Sequence, residues 1–165
     1  ICQQLPDLPI EEEGRLHDAV LRENFVNRVF VYDRWRRLFE SGLDAASLID
    51  FHSRHKYLVM AHSQAAYKRL GQLLAHLKGV DMQAVGREYQ RELMAALKRR
   101  VSRSRHVNVL QHLQGYLKDK ISAEDKVELS AAIEEYRRGE VPLVVPMRLL
   151  GHYFRCHPDD YIAMQ

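Results

Sequence analysis

The feature that most limits what this chain can fold into is an apolar period of three and four residues that returns along most of its length. Leu70, Leu73, Leu74 and Leu77 form one such edge, continued backward by Tyr67, Ala66 and Met60, and Met82, Val85, Tyr89, Leu93, Ala96 and Leu97 form another. Val109, Leu110, Leu113, Leu117 and Ile121 repeat the pattern, as do Leu129, Ala132, Ile133 and Tyr136. This spacing collects side chains on one side of an α-helix and scatters them over both faces of a strand. Only the short VFVY and VPLVV stretches have strand propensity, and the first fits inside a helical pattern. The expectation is an all-α, multi-helix bundle, with an α/β arrangement excluded for want of repeated strands.

Capping signals divide the pattern into segments. Asn24 is predicted to cap a first helix that begins near Phe25, carries Val29, Tyr32 and Leu38 among Arg34, Arg36 and Arg37, and ends near Ser41 and Gly42. A short piece, DAASLIDFH, then precedes a long helix from about Ser53 to Leu77, with Gly79 as its stop and Asp81 as the cap of the next. After the SRSR interruption a long fourth helix is predicted to run through Val109 to Ile121, with Gly115 a tolerated weakness or a close-packing point. Ser122 and Asp125 make a weaker version of a capping box, Asp being shorter than the usual Glu or Gln, and Arg137, Arg138 and Gly139 mark a helix end. VPLVVP reads as a buried connector or short extended segment before a final helix from about Met147 through Cys156, with a further helical turn after Pro158. The opening ICQQLPDLPIEEEGRLHD has two prolines, an acidic run and no sustained apolar period, so residues 1–23 read as an extended acidic arm, and residues 24–165 as the helical domain.

With 165 residues, 46% of them hydrophobic, the chain has enough apolar material for a core without disulfides. Cys2 and Cys156 are too few for a disulfide scaffold or an all-cysteine metal site, and no apolar run reaches the roughly 20 residues that span a bilayer. A soluble cytoplasmic protein with no membrane partner is the default. The net charge of +3 conceals an uneven distribution: residues 1–23 carry six acids and two bases, a balance of −4, which leaves +7 on the body. A body of that charge suits a polyanionic partner, although it is also ordinary for solubility.

Two stretches hold the candidate chemistry. In FHSRHKYLVMAHS a continuous helix would align His55, His62 and Arg69 at seven-residue steps. The rise of ~1.5 Å per residue separates His55 from His62 by roughly 10 Å, too far for both to grip one zinc ion. Three readings compete there: a phosphate or RNA surface built from Arg54, His55, Lys56, His62 and Arg69; histidines satisfied inside a polar helix interface; and metal binding or acid/base catalysis by His52, His55 or His62. The second stretch, LKRRVSRSRHVN, holds Lys98, Arg99, Arg100, Arg103, Arg105 and His106 without an acid, and Arg87 and Arg91 extend it along the preceding helix. Such a cluster suits a phosphate backbone, with Asn108, Gln111 and His112 as candidate base or ribose contacts; a solvated cationic turn and an acidic protein partner are the alternatives. Cys156 beside His157 lacks the second spaced pair that a metal site needs.

The ordered series ENF, RVFVY, RW, FHSRHKYLVMAHS, YKRLG, LKRRVSRSRHVNVLQHLQGYLK and VPLVVPMRLL resembles the YbgA-like domain, described as a domain of unknown function, over roughly residues 24–165. The resemblance implies an all-α fold. Members occur alone or after a domain resembling the iron–sulfur thiouracil desulfidases, and PDLPIEEEGRLHD looks like the last segment of such a domain. By that resemblance the chain is expected to be a noncatalytic accessory domain that holds tRNA or another RNA for an upstream thiouridine desulfidase-like partner. It would have no cofactor of its own, and any iron–sulfur cluster would belong to the upstream domain. A protein-interaction or domain-docking module, and an enzyme using the His-rich helix, remain as alternatives.

Overall fold

The computed structural model describes residues 7–165, which include no β-strand. A 3-10 helix, Glu13–His17, precedes α1 (Ala19–Glu40), α2 (Ala45–His62), α3 (Gln64–Leu74), α4 (Met82–Leu97), α5 (Arg103–Gly115), α6 (Ala123–Arg138), α7 (Val144–Cys156) and α8 (Asp160–Ala163). The fold is an all-α, multi-helix bundle, and no helix among the described residues is long and apolar enough to cross a membrane. The chain divides into two compact units, one ending at Arg100 and the other running Val101–Gln165.

In the first unit, α4 packs against α1, α2 and α3, and the 3-10 helix lies on α1. The centre is aromatic. Trp35 stacks on Tyr89 with ring centroids 5.0 Å apart and meets Phe51 edge-on at 5.1 Å, while its indole N–H donates to Gln90 Oε1 at 3.0 Å. A buried indole needs that acceptor, because an unpaired donor away from water costs about 1–3 kcal/mol. Leu48, Val59, Leu70, Leu93, Met94 and Leu97 complete the core. Gly86 admits the close approach of α4 to the end of α1: a Cβ there would lie 2.6 Å from Phe39 Cε2 and 2.7 Å from Leu43 Cδ2.

The second unit has its own core of Val107, Leu110, Leu117, Ile121, Leu129, Ile133, Tyr136, Leu150 and Tyr153. Here α6 packs on α5 and α7. The Ser122–Asp125 capping box forms in both directions, and Gly139 ends α6 at φ +88°, a conformation that glycine adopts without a Cβ penalty.

Several boundaries depart from the periodic reading. The first helix is capped by Asp18, whose carboxylate accepts from Val20 N and Leu21 N, whereas Asn24 sits inside α1 and donates its amide to Leu97 O at 3.1 Å. The 44–52 piece and the start of the expected long helix form one element, α2, and that long helix breaks at Ser63. The Ser63 backbone is extended, its N–H closes α2 on Val59 O, and its hydroxyl accepts from Ala66 N to start α3. A serine competes with helix continuation by offering the backbone such a bond. Helix α3 then stops at Leu74, before Gly79. Helix α5 ends at Gly115 instead of continuing to Ile121, so that Leu117 and Ile121 enter the core from a run of turns. The second half of VPLVVP is helical rather than extended: α7 opens at Val144 and takes Pro146 in its first turn, where a missing N–H breaks no helix bond.

Candidate nucleic-acid interface

Burial along α2 decides the fate of the three histidines, and the break at Ser63 puts Arg69 on the next helix. His52, His55 and His62 all lie buried in the first unit, at 9%, 5% and 3% exposure. His52 Nδ1 lies 3.0 Å from the Tyr89 hydroxyl, and burial, with Lys56 and His55 adding to it, pushes the imidazole down to about 4. His55 donates from Nδ1 to Phe51 O at 2.7 Å and stacks on the Phe51 ring at 4.2 Å. Burial holds His55 below the usual histidine range, opposed by its bond to Phe51 O and reinforced by the charges of Arg34 and Arg54. His62 donates from Nδ1 to Arg99 O at 2.6 Å, fastening the end of α2 to the end of α4. These rings are internal polar fasteners, and the shared face of His55, His62 and Arg69 that a continuous helix would present does not form.

Of the cations of that stretch, Arg54 and Arg69 are exposed and Lys56 is half-buried, and all three are engaged. Arg54 pairs with Asp50 at 2.7 Å, Lys56 lies 4.7 Å above the Tyr57 ring, and Arg69 bridges α3 to α4 by donating from Nε and Nη2 to Glu92 Oε2 at 2.9 and 2.8 Å. Arg34, next to Trp35 on α1, is the cation on this side that the sequence pattern did not single out; the signal for it was the run RWRR.

The second stretch is divided between the units. In the first, Arg87, Arg91 and Lys98 are all exposed on α4, and their spacing places them within about 40° of one direction around the helix axis. Arg87, Arg91 and Arg99 have no ion-pair partner among the described residues, and Glu92 is held by Arg69. Arg100 is exposed and close enough to Asp18 to lower that carboxyl, although the backbone N–H groups of Leu21 and Val20 act on it more strongly. Lys98 caps the end of α4, where positive charge complements the dipole.

In the second unit the cations are structural to different degrees. Arg103 donates from Nη1 to Tyr136 O at 2.8 Å and lies 4.9 Å over the Tyr136 ring, so it closes the C-terminal end of α6. His106 Nδ1 lies 2.7 Å from the Tyr136 hydroxyl, and Arg105 is half-buried. Gln111 and His112 are exposed on α5, and Asn108 is half-buried. Cys156 is exposed, with its sulfur 3.9 Å from His152 Nε2 rather than paired with His157, and Cys2 lies outside the described residues. No group of three or more His, Cys, Asp or Glu side chains among the described residues is placed to hold a metal ion.

Comparison with known proteins adds kinship without an activity. Residues 56–165 match the family described as "Protein of unknown function (DUF1722)". The chain is also similar to "Uncharacterized protein YbgA" of Escherichia coli strain K12, with 34% identity over 139 residues that cover 84% of this chain and 82% of that protein. No solved structure matches.

Proposed function

The chain belongs to the YbgA-like DUF1722 family, and we propose that it is a noncatalytic module that binds RNA, with tRNA the first candidate, through the exposed cations of α4 and the residues that follow it. The observation that carries this reading is the ridge of Arg87, Arg91 and Lys98, with exposed Arg99 just after it; three of these four side chains have no carboxylate partner among the described residues. The rise along a helix separates Arg87 from Arg91 by ~6 Å and Arg91 from Lys98 by ~10 Å, a line of charge that follows a phosphate backbone. Internal ion pairing has already satisfied Arg54 and Arg69, which makes them secondary contacts. The buried His55 and His62 support the fold behind the surface. In the fuller form of the proposal, an iron–sulfur thiouridine desulfidase-like partner domain performs the chemistry and this module holds the substrate. The two cysteines of this chain cannot ligate such a cluster by themselves.

Titrating the chain with tRNA over a series of salt concentrations tests the interface. The logarithm of affinity should fall linearly with the logarithm of salt, and Arg87→Gln/Arg91→Gln/Arg99→Gln should make that slope shallower by roughly 2–3. Absence of binding at low salt, or an unchanged slope in the variant, would sink the reading.

One observation favours a second reading, a domain-docking module. Val26, Val29 and Phe30 form an apolar stripe on α1 at 41%, 40% and 58% exposure. A complex with a desulfidase-like domain that forms without RNA and is lost in Phe30→Ser would move the function to that face.

A further inference from the structure

Helix α7 carries two arginines, Arg148 and Arg155, that neither its core nor a carboxylate uses. From Val141 to His157 the chain contains no acid, and Arg148, His152 and Arg155 recur at steps of four and three residues, all exposed on the second unit. Neither Arg148 nor Arg155 has a hydrogen-bond or ion-pair partner among the described residues. Side chains on a helix lean toward its N-terminus, and Arg155 does so: its Nη1 lies 3.6 Å from the point a Cβ on Gly151 would occupy. The guanidinium therefore sits over Gly151, in an open pocket of about 360 Å³ that Met147 and Arg148 also line. Two like charges border one pocket with no counter-charge, an arrangement that an anion relieves.

Gly151 supports the same conclusion. A glycine in mid-helix weakens the helix relative to alanine. Packing does not demand this one, because an added Cβ would meet only the Arg155 side chain, at ordinary contact distance. Without a side chain, Gly151 leaves the floor of the pocket open beneath the Arg155 guanidinium.

We propose that this face of α7 binds a phosphate monoester. A monoester is close to a dianion at neutral pH, so its charge balances two guanidiniums, and its three terminal oxygens can accept from both arginine forks at once. A carboxylate would leave one arginine unbalanced. Met147 and Val144, about half exposed on the same helix, offer apolar surface to the body that carries the phosphate, which favours a nucleotide over inorganic phosphate. A free nucleotide and the 5′-terminal phosphate of an RNA present this same chemistry. The site shares no residue with the α4 ridge, so it stands whether or not that ridge binds RNA.

The test follows the methionine methyl groups of the full chain by NMR during titration with AMP, adenosine, and a short RNA with either a 5′-phosphate or a 5′-hydroxyl. The Met147 methyl should shift saturably with AMP and stay still with adenosine, while Met60 and Met94, buried in the other unit, do not move. Arg148→Gln/Arg155→Gln should weaken AMP at least roughly tenfold, as the loss of charge-assisted bonds requires. Gly151→Leu, which fills the pocket and leaves both charges, should do the same. Preference for the 5′-phosphorylated RNA assigns the RNA end as the source, and equal behaviour of the two RNAs alongside AMP binding assigns a free nucleotide. No shift at Met147 with AMP, an equal shift with adenosine, or AMP binding undiminished in both variants would overturn the proposal.

Discussion

The buried histidines of the first unit exchange hydration for partners inside the fold, and that exchange makes stability depend on pH. His52 is the clearest case. Its folded-state pKa of about 4 lies below the ordinary 6.5, so the unfolded chain takes up a proton first as the pH falls. The stabilising contribution is complete above pH 6.5 and is lost as the pH falls toward 4, on the order of 3 kcal/mol in all. His55, lowered mainly by burial, adds in the same direction. Thermal melts between pH 7 and pH 4.5 should show a steeper loss of Tm for the native chain than for His52→Asn, whose amide can still meet the Tyr89 hydroxyl without titrating. Equal slopes would remove His52 from the account. Arg28 shows the same logic with a permanent charge: it is 4% exposed and faces Glu11 at 3.8 Å, so the acidic segment before α1 contributes the counter-charge of a buried cation. Exposed pairs such as Arg36–Glu40 contribute far less, because water screens them.

At the scale of elements, the helix ends are set by side-chain caps more than by the apolar period. Ser63 serves two helices at once, and it is 3% exposed, so its hydroxyl has no water to fall back on. Ser63→Ala should cost about 1–2 kcal/mol, seen as a lower denaturation midpoint with an unchanged m value. A variant as stable as the native chain would mean that the extended backbone at 63, rather than the hydroxyl, makes the break. Where a cap and the period agreed, as at Asp81, Ser122 and Gly139, the sequence reading matched the structure. It failed at Asn24, Ser63 and Gly115, where a residue compatible with both continuation and termination was resolved by packing. Leu117 and Ile121 kept the apolar spacing of a helix although they lie beyond its end, because a turn also delivers them to the core.

On the scale of the whole molecule, the buried apolar residues fall into two sets that do not mix along the chain. The first uses Val31 through Leu97 and the second Val107 through Tyr153. Each set closes around the helices of its own unit. The joint lies in a basic, non-helical stretch around Arg99 to Ser102, which trypsin is suited to cut. Limited trypsin digestion should cleave first at Lys98, Arg99 or Arg100 and release two fragments that each retain helical circular dichroism. The second fragment, from Val101 onward, should be the less stable, since small domains bury a smaller share of their surface. Early cleavage throughout α5 or α6 instead would contradict an independent second unit.

What the sequence determined by itself was periodic or local: the helical class, the caps with unambiguous chemistry, and the presence of a cationic stretch between Lys98 and Arg105. A three- and four-residue period is a property of one element, and a cap needs only its own neighbours, so neither requires the fold to be known. The tertiary structure decided which charges remain available. Arg69 meets a carboxylate twenty-three residues away, His62 meets a carbonyl thirty-seven away, and Arg103 is spent on the end of α6. Charge and hydrogen-bonding capacity are fixed by residue type, but whether they face a partner or the solvent is settled by contacts between elements. For that reason Arg87 and Arg91 stand clear of ion pairs while similar residues on α2 and α3 do not.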